Sequence, residues 1–403
     1  VSCSNPQATA SRDEGTRVHR VPRAFLIFAA GAALFAFGQA GVNAVFNNFL
    51  HDTYAIGDMQ RGLVEWPREL PGFLVVFVSA LLYLMSPRRL AALANLLAGL
   101  GVAGIAFCSR GYGSMLAWLF LLSIGQHLFI PLLSAVTMEF ASEDKVGRRL
   151  GQINGASNLA GVAGSLLVML GFRVFGFTFT TAFAIAAACM VVAAAFLRAM
   201  PRETVLGDKS RFVWRREYGL FYWLNVLFGT RKQIFLTFSP WVLVTVFKLS
   251  TQTVATLFFV GGLIGIGFNP LLGRAIDRLG ERVVLMGEAA VLVFVCMGYG
   301  FSQRLFSGHI AVGVACACFV LDQMLMSVGM ARATYLKKIA VRPGDVPQTL
   351  MMGVSIDHVF SILVASLGGI IMVRFGYEYV FLLGALIAVV NLFSAARVRV
   401  HAR

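Results

Sequence analysis

Charge is scarce in this chain. Asp, Glu, Lys and Arg make up 13% of its 403 residues, against about 25% in an ordinary soluble domain. Together with a hydrophobic content of 58%, this excludes a soluble globular protein and points to an integral membrane protein. Chemistry-bearing motifs are missing as well. The six cysteines (Cys3, Cys108, Cys189, Cys296, Cys316 and Cys318) fall mostly inside apolar runs and show neither zinc nor disulfide spacing, so they read as small packing residues. No nucleophile elbow, zinc-binding helix or phosphate loop occurs. The run Gly99-Leu100-Gly101-Val102-Ala103-Gly104 has the spacing of a dinucleotide fingerprint but follows no strand and lies in an apolar span, which removes its physical basis. An enzyme is therefore not expected, nor a metal, cofactor or ATP-driven mechanism. Period-two alternation over spans of about ten residues is also absent, which excludes a membrane β-barrel.

What remains is a succession of apolar runs of helical length. Twelve are legible, at about residues 24–50, 61–86, 90–109, 114–140, 149–172, 177–198, 217–247, 254–272, 283–302, 308–336, 348–373 and 377–397. The expected fold is all-α, with twelve transmembrane helices. Residues 1–23 are polar and the first run is too long for a cleavable signal, so helix 1 is expected to be the targeting signal. With the N-terminus placed in the cytoplasm, twenty-four of the 34 cations fall on that side. The opposite face keeps only Arg61, Arg110, Arg173, Lys248, Arg304 and Arg374. This bias puts both termini in the cytoplasm, in what is expected to be a bacterial inner membrane. The net charge of +15 is dispersed over short segments, which fits topology and lipid headgroups rather than nucleic acid.

The longest charged connection divides the chain into a tail (1–23), a six-helix half (24–198), a central loop (199–216), a second six-helix half (217–397) and a C-terminal tail (398–403). The halves echo each other. Gly125-Gln126-His127 has a counterpart in Asp322-Gln323-Met324, and Phe175-Gly176-Phe177 in Phe375-Gly376-Tyr377. Similar offsets at two places suggest a duplicated unit, which in transporters puts the substrate site between the halves. After helix 8, the stretch from Gly273 to Arg282 (Gly-Arg-Ala-Ile-Asp-Arg-Leu-Gly-Glu-Arg) resembles the loop signature of the major facilitator superfamily, Gly-x-x-x-Asp-Arg-x-Gly-x-Arg. The matching loop after helix 2 keeps only the basic pair Arg88-Arg89. The resemblance implies two pseudo-symmetric six-helix bundles working by alternating access. It also implies a cytoplasmic gate in which Asp277 and Arg278 meet the start of helix 5, at Arg148 and Arg149.

Candidate site residues are the polar ones lying deep in the apolar runs. Arg231 and Lys232 sit mid-way along the run from 217 to 247, too far from either end for both to snorkel. An intramembrane charge costs about 2.5–3.5 kcal/mol even on insertion scales, so these cations are expected to face a cavity, a counter-charge or both. Either could bind an anion, with Gln233 beside them and Gln39 and Asn43 contributing from helix 1, where Asn47 continues the same face. The competing expectation is neutralisation by Asp322, Asp357 or Glu69. Asp322, then Asp357 or His127, are candidates for proton coupling, because desolvation and a nearby cation act on such groups in opposite directions. Glu65, Arg68 and Glu69 have i, i+3, i+4 spacing at the outer end of helix 2, as an external gate or a shallow ion-pair cluster. Gly261/Gly265 and Gly151/Gly155 are expected to permit close helix approach.

The sequence thus predicts a monomeric secondary transporter of a small organic anion or zwitterion, coupled to protons. Broad efflux of amphiphiles is a rival, given 35 phenylalanines and 15 methionines. A nontransporting membrane sensor with the same fold is a second rival.

Overall fold

The computed structural model describes residues 23–78, 85–140, 146–201, 214–342 and 345–399. These form the helices α1 (Arg23–Tyr54), α2 (Asp58–Leu63), α3 (Glu65–Val78), α4 (Pro87–Phe107), α5 (Tyr112–Glu139), α6 (Val146–Val174), α7 (Phe179–Arg198), α8 (Gly219–Thr245), α9 (Thr251–Leu305), α10 (Gly308–Met326), α11 (Gly329–Ile339), α12 (Asp345–Phe375) and α13 (Tyr377–Ala395). Most of both tails and of the central loop of the sequence reading lies outside the described residues.

Nine helical stretches among the described residues are long and apolar enough to cross a membrane, with α10 and α11 forming one of them. One of the nine, α9, runs for 55 residues, about 80 Å if straight and far more than the ~30 Å of a hydrocarbon core. It is broken at Gly280, whose φ of 81° and ψ of 161° turn the chain, so α9 supplies two passes. Two of the twelve expected spans do not meet the apolar criterion: α8 and the α2–α3 pair. In α8 the polar residues around Arg231 and Lys232 lower the mean hydropathy, whereas α2 and α3, with 6 and 14 described residues, are each shorter than a membrane crossing.

The helices sort into two bundles. In one, α1 packs on α6 and α7, and α4 on α5 and α7; in the other, α8 packs on α12 and α13, and α9 on α10 and α13. The repeat seen in the sequence has a structural counterpart, because Gly176 and Gly376 both adopt positive φ, 64° and 104°. Each makes a turn between two helices that an L-residue would strain.

Across the bundles, α3 and α2 pack on α12, and α6 packs on α9. Among the described residues, five hydrogen bonds join the halves: Asn48 to the Leu249 carbonyl (3.2 Å), Trp241 to Asp58 (2.7 Å), Gln233 to Glu65 (2.9 Å), Trp66 to Ser366 (2.8 Å), and His358 with Glu69 (2.6 Å). All lie at the middle or toward the end bearing the α1–α2 turn. Gly62 permits this closure, since a Cβ there would meet the Ala365 carbonyl oxygen at 2.5 Å. At the other end, where α1 begins and α5 finishes, the bundles are apart. Gly151 and Gly155 face open space rather than a neighbouring helix, contrary to the packing expected of them, whereas Gly261 abuts the Gln323 side chain.

This closure predicts that Gly62→Val destabilises the protein by about 1–3 kcal/mol through overpacking. Gly113→Val, where a Cβ meets nothing within 4 Å, serves as the control and should change little; thermal unfolding in detergent measures both.

Candidate functional site

Burying a guanidinium in an apolar bundle is tolerable only with a counter-charge, and α8 finds two for Arg231. Its Nη1 donates to Asp322 Oδ1 on α10 at 2.6 Å, and its Nη2 to Glu288 Oε1 on α9 at 3.0 Å. Arg231 is 1% exposed. The other oxygen of Glu288 lies 4.0 Å from Arg332 on α11, and the Arg332 guanidinium stacks over the Phe228 ring at 3.5 Å from its centroid. Two cations thus face two carboxylates. Arg332 is itself buried in this cluster.

Lys232 points a different way, as expected from the ~100° between successive helical residues. Its Nζ donates to Asp357 Oδ2 on α12 at 2.5 Å, and Ser361 donates to the other Asp357 oxygen. Gly229, one turn earlier on α8, leaves the room that the Asp357 carboxylate occupies. Neutralisation by Asp322 and Asp357 therefore prevails over an exposed cationic pair, and Arg231 and Lys232 do not line the cavity between the bundles.

A second polar group joins the bundles. Arg61 donates to Asn47 (2.8 Å) and to Glu65 (2.6 Å), and Glu65 accepts from Gln233, which also reaches Thr237. Arg68 lies 3.4 Å from the same Glu65 oxygen. Arg61 and Glu65 are fully buried, which corrects two expectations: Arg61 is not an exterior loop cation, and Glu65 is not in a shallow ion-pair cluster. Glu69 leaves this group and pairs with His358 on α12, beside the ring of His127 on α5.

Between the bundles lies a cavity of about 500 Å³. Gln39 and Asn43 of α1, Gln126 of α5, Asn158 of α6, Asn269 of α9 and Gln323 of α10 all line it. Gln126 and Gln323 are the matched residues of the internal repeat, so the duplication is expressed in the cavity wall. Gln39 donates to Asn43, which leaves Gln39 Oε1 without a partner, as are Ser157 Oγ and Asn269 Oδ1 in the same wall. No charged residue lines it among the described residues.

The expected cytoplasmic gate is not assembled here. Asp277, Arg278 and Arg148 are exposed, and Arg149 instead donates to Gln152 and stacks on Phe25. Among the described residues no ion pair links Asp277 to either arginine.

Glu288 is the residue that the sequence reading passed over. Its signal was present, as the single acid in the apolar run from 283 to 302. Removing one partner of a buried pair costs about 3–5 kcal/mol, so Glu288→Gln should destabilise the protein by about that amount. Adding Arg332→Gln restores the balance of charge and should recover a measurable part, read as a non-additive term in a double-mutant cycle of unfolding.

Comparison with known proteins agrees with this architecture. The family model described as Major Facilitator Superfamily matches residues 70–355. No curated relative matches the sequence. Among solved structures, a mutant form of the nucleoside transporter NupG superposes with a TM-score of 0.74 at 14% identity, covering 92% of this chain and 98% of that one. A D-xylose–proton symporter gives 0.71 at 14% identity, covering 93% and 97%. An inward-facing, occupied bacterial homologue of the human lysosomal transporter Spinster gives 0.68 at 13% identity, covering 93% and 96%. The two-bundle fold, the duplicated helices around a central cavity and the family match over most of the chain lead to one conclusion: this protein belongs to the Major Facilitator Superfamily.

Proposed function

We propose that this protein is a monomeric secondary transporter that moves a small, uncharged, hydroxyl-rich solute across a bacterial inner membrane, coupled to protons. The observation that carries the substrate reading is the cavity wall: amides and hydroxyls with unpartnered acceptors, flanked by Phe35, Phe129 and Phe258, and no charge. Such a wall offers hydrogen bonds to hydroxyls and apolar faces to a ring. A charged solute would enter it without a counter-ion, at the desolvation cost that a buried unpaired charge carries. The solutes named for two structural neighbours, a nucleoside and D-xylose, have this uncharged and hydroxylated chemistry.

The end where the bundles part carries most of the cations, and on the positive-inside rule it faces the cytoplasm. The arrangement described is then inward-facing, with Asp277 free to meet Arg148 or Arg149 when the molecule opens outward. Asp322 is the first candidate for the coupling group and Asp357 the second, because each is a buried carboxylate on a single cation. A proton on Asp322 releases Arg231 to Glu288 alone, and a proton on Asp357 frees Lys232.

The anion reading keeps one foothold. Lys232 is more accessible than Arg231, with 17% of its side chain exposed, and an anionic solute that displaced Asp357 would find a cation there.

Proteoliposomes decide between them. Uptake competition by uncharged nucleosides and pentoses, reduced at least tenfold in affinity by Gln126→Ala or Gln323→Ala, is the expected result. Competition by organic anions that Lys232→Gln abolishes would instead select the anion reading. For coupling, Asp322→Asn should abolish proton movement accompanying the solute while leaving solute exchange across the membrane intact. Unchanged proton movement in that variant would remove Asp322 from the mechanism.

A further inference from the structure

We propose that Glu69, His127 and His358 form a binding site for a divalent transition-metal ion of the zinc class, and that an ion held there pins the two bundles in the arrangement described. One donor atom from each of the three side chains lies within 4.8 Å of the others, and all three residues are buried. Zinc ligands sit about 2.0–2.2 Å from the metal, which in a tetrahedron puts donors about 3.3–3.6 Å apart. Small side-chain rotations therefore close the set, and water supplies a fourth ligand.

The surroundings of the imidazoles match what a metal requires. His127 Nδ1 lies 3.0 Å from the Ser123 carbonyl oxygen. With its proton given to that carbonyl, Nε2 carries the lone pair. This is the orienting bond that metal-ligating histidines usually make. His358 approaches Glu69 at 2.6 Å through its own Nδ1. Gly72 of α3 lets both rings sit against the helix, since a Cβ there would meet His127 and His358 ring carbons at 2.7 Å. Lys232, whose charge reaches Glu69, is held by Asp357. Two imidazoles with one carboxylate favour zinc, copper or nickel over magnesium and calcium, which prefer oxygen alone.

The donors straddle the moving interface. Glu69 and His127 belong to the first bundle and His358 to the second. Rocking that opened the closed end would draw α12 away from α3 and break the set. A ligand that binds only one conformation shifts the population toward it, so the ion acts as a clamp on this state. The sequence carries no metal motif because the ligands come from three helices, at positions 69, 127 and 358.

The test uses the purified full chain in nanodiscs, titrated with Co²⁺ and followed by visible absorption, with Zn²⁺ and Mg²⁺ as competitors. The expected result is one saturable site with a tetrahedral Co²⁺ spectrum, displaced by Zn²⁺ and not by Mg²⁺, and weakened at least tenfold by His127→Gln, His358→Gln or Glu69→Gln. His358→Cys, which keeps a metal ligand, should restore binding and add a thiolate-to-cobalt band. Absence of a saturable site in the parent, or binding unchanged in all three variants, overturns the site. For the clamp, spin labels on Thr53→Cys and Ser250→Cys in a cysteine-free background report the closed end. Zn²⁺ should narrow their distance distribution to its shortest component, and His358→Gln should abolish the effect. Bound metal with an unchanged distribution overturns the clamp.

Discussion

The guanidinium of Arg231 sits in the middle of an apolar bundle, and much of the second half is arranged to make that position tolerable. Two carboxylates from two other helices reach it, at 2.6 and 3.0 Å, and a second guanidinium shares one of them. The pairing ties α8, α9, α10 and α11 together by bonds that are expensive to break singly, because each leaves an uncompensated charge away from water. Lys232 extends the same logic to α12. A bundle tied in this way has a strong reason to move as one body, which is the physical requirement for rocking rather than unravelling.

The contact between bundles is of a different kind. It consists mainly of single hydrogen bonds, each worth about 0.5–1.5 kcal/mol net, and of glycine-mediated approach at Gly62. Its one ion pair among the described residues contains a histidine, His358 with Glu69, which is charged only when protonated. Strong pairing within the second bundle and weak pairing between the bundles separate two energy scales. An interface of that strength can open and re-form without cost to the helices behind it, and two packed arrangements can then lie close in free energy.

The parts of this architecture set by local sequence were legible in advance. Long apolar runs gave the helices, and the repeated Phe-Gly-aromatic turns gave the duplication, because a positive-φ glycine is a local requirement. Depth alone singles out Arg231 and Lys232, with Asp322, Asp357 or Glu69 as counter-charges that compete with the reading of an anion site. Which acid meets which cation was not legible, since helix rotation and tilt are set by packing that no single run encodes. The error over Arg61 has the same origin. Its place near the start of a run resembled a loop cation, and only the approach of Asn47 and Glu65 from α1 and α3 makes its burial possible. His358 shows the limit most clearly, as its partners are contributed by α3 and α5 in the other bundle.

Neighbouring residues on two equivalent helices connect the charged groups to the cavity. On α10, Asp322 faces Arg231 while Gln323 lines the cavity; on α5, His127 faces Glu69 and His358 while Gln126 lines the same cavity from the opposite side. Adjacent helical positions point about 100° apart, so each helix presents one face to a titratable group and the next to the cavity. On the proposed reading, any rotation of α10 that follows loss of the Asp322 charge must carry Gln323 with it, because a side chain cannot turn independently of the helix that holds it. Coupling then requires no ionisable group in the cavity itself. A neutral wall is what such a division of labour demands, since a charge among the amides would bind a proton or an ion in competition with the solute.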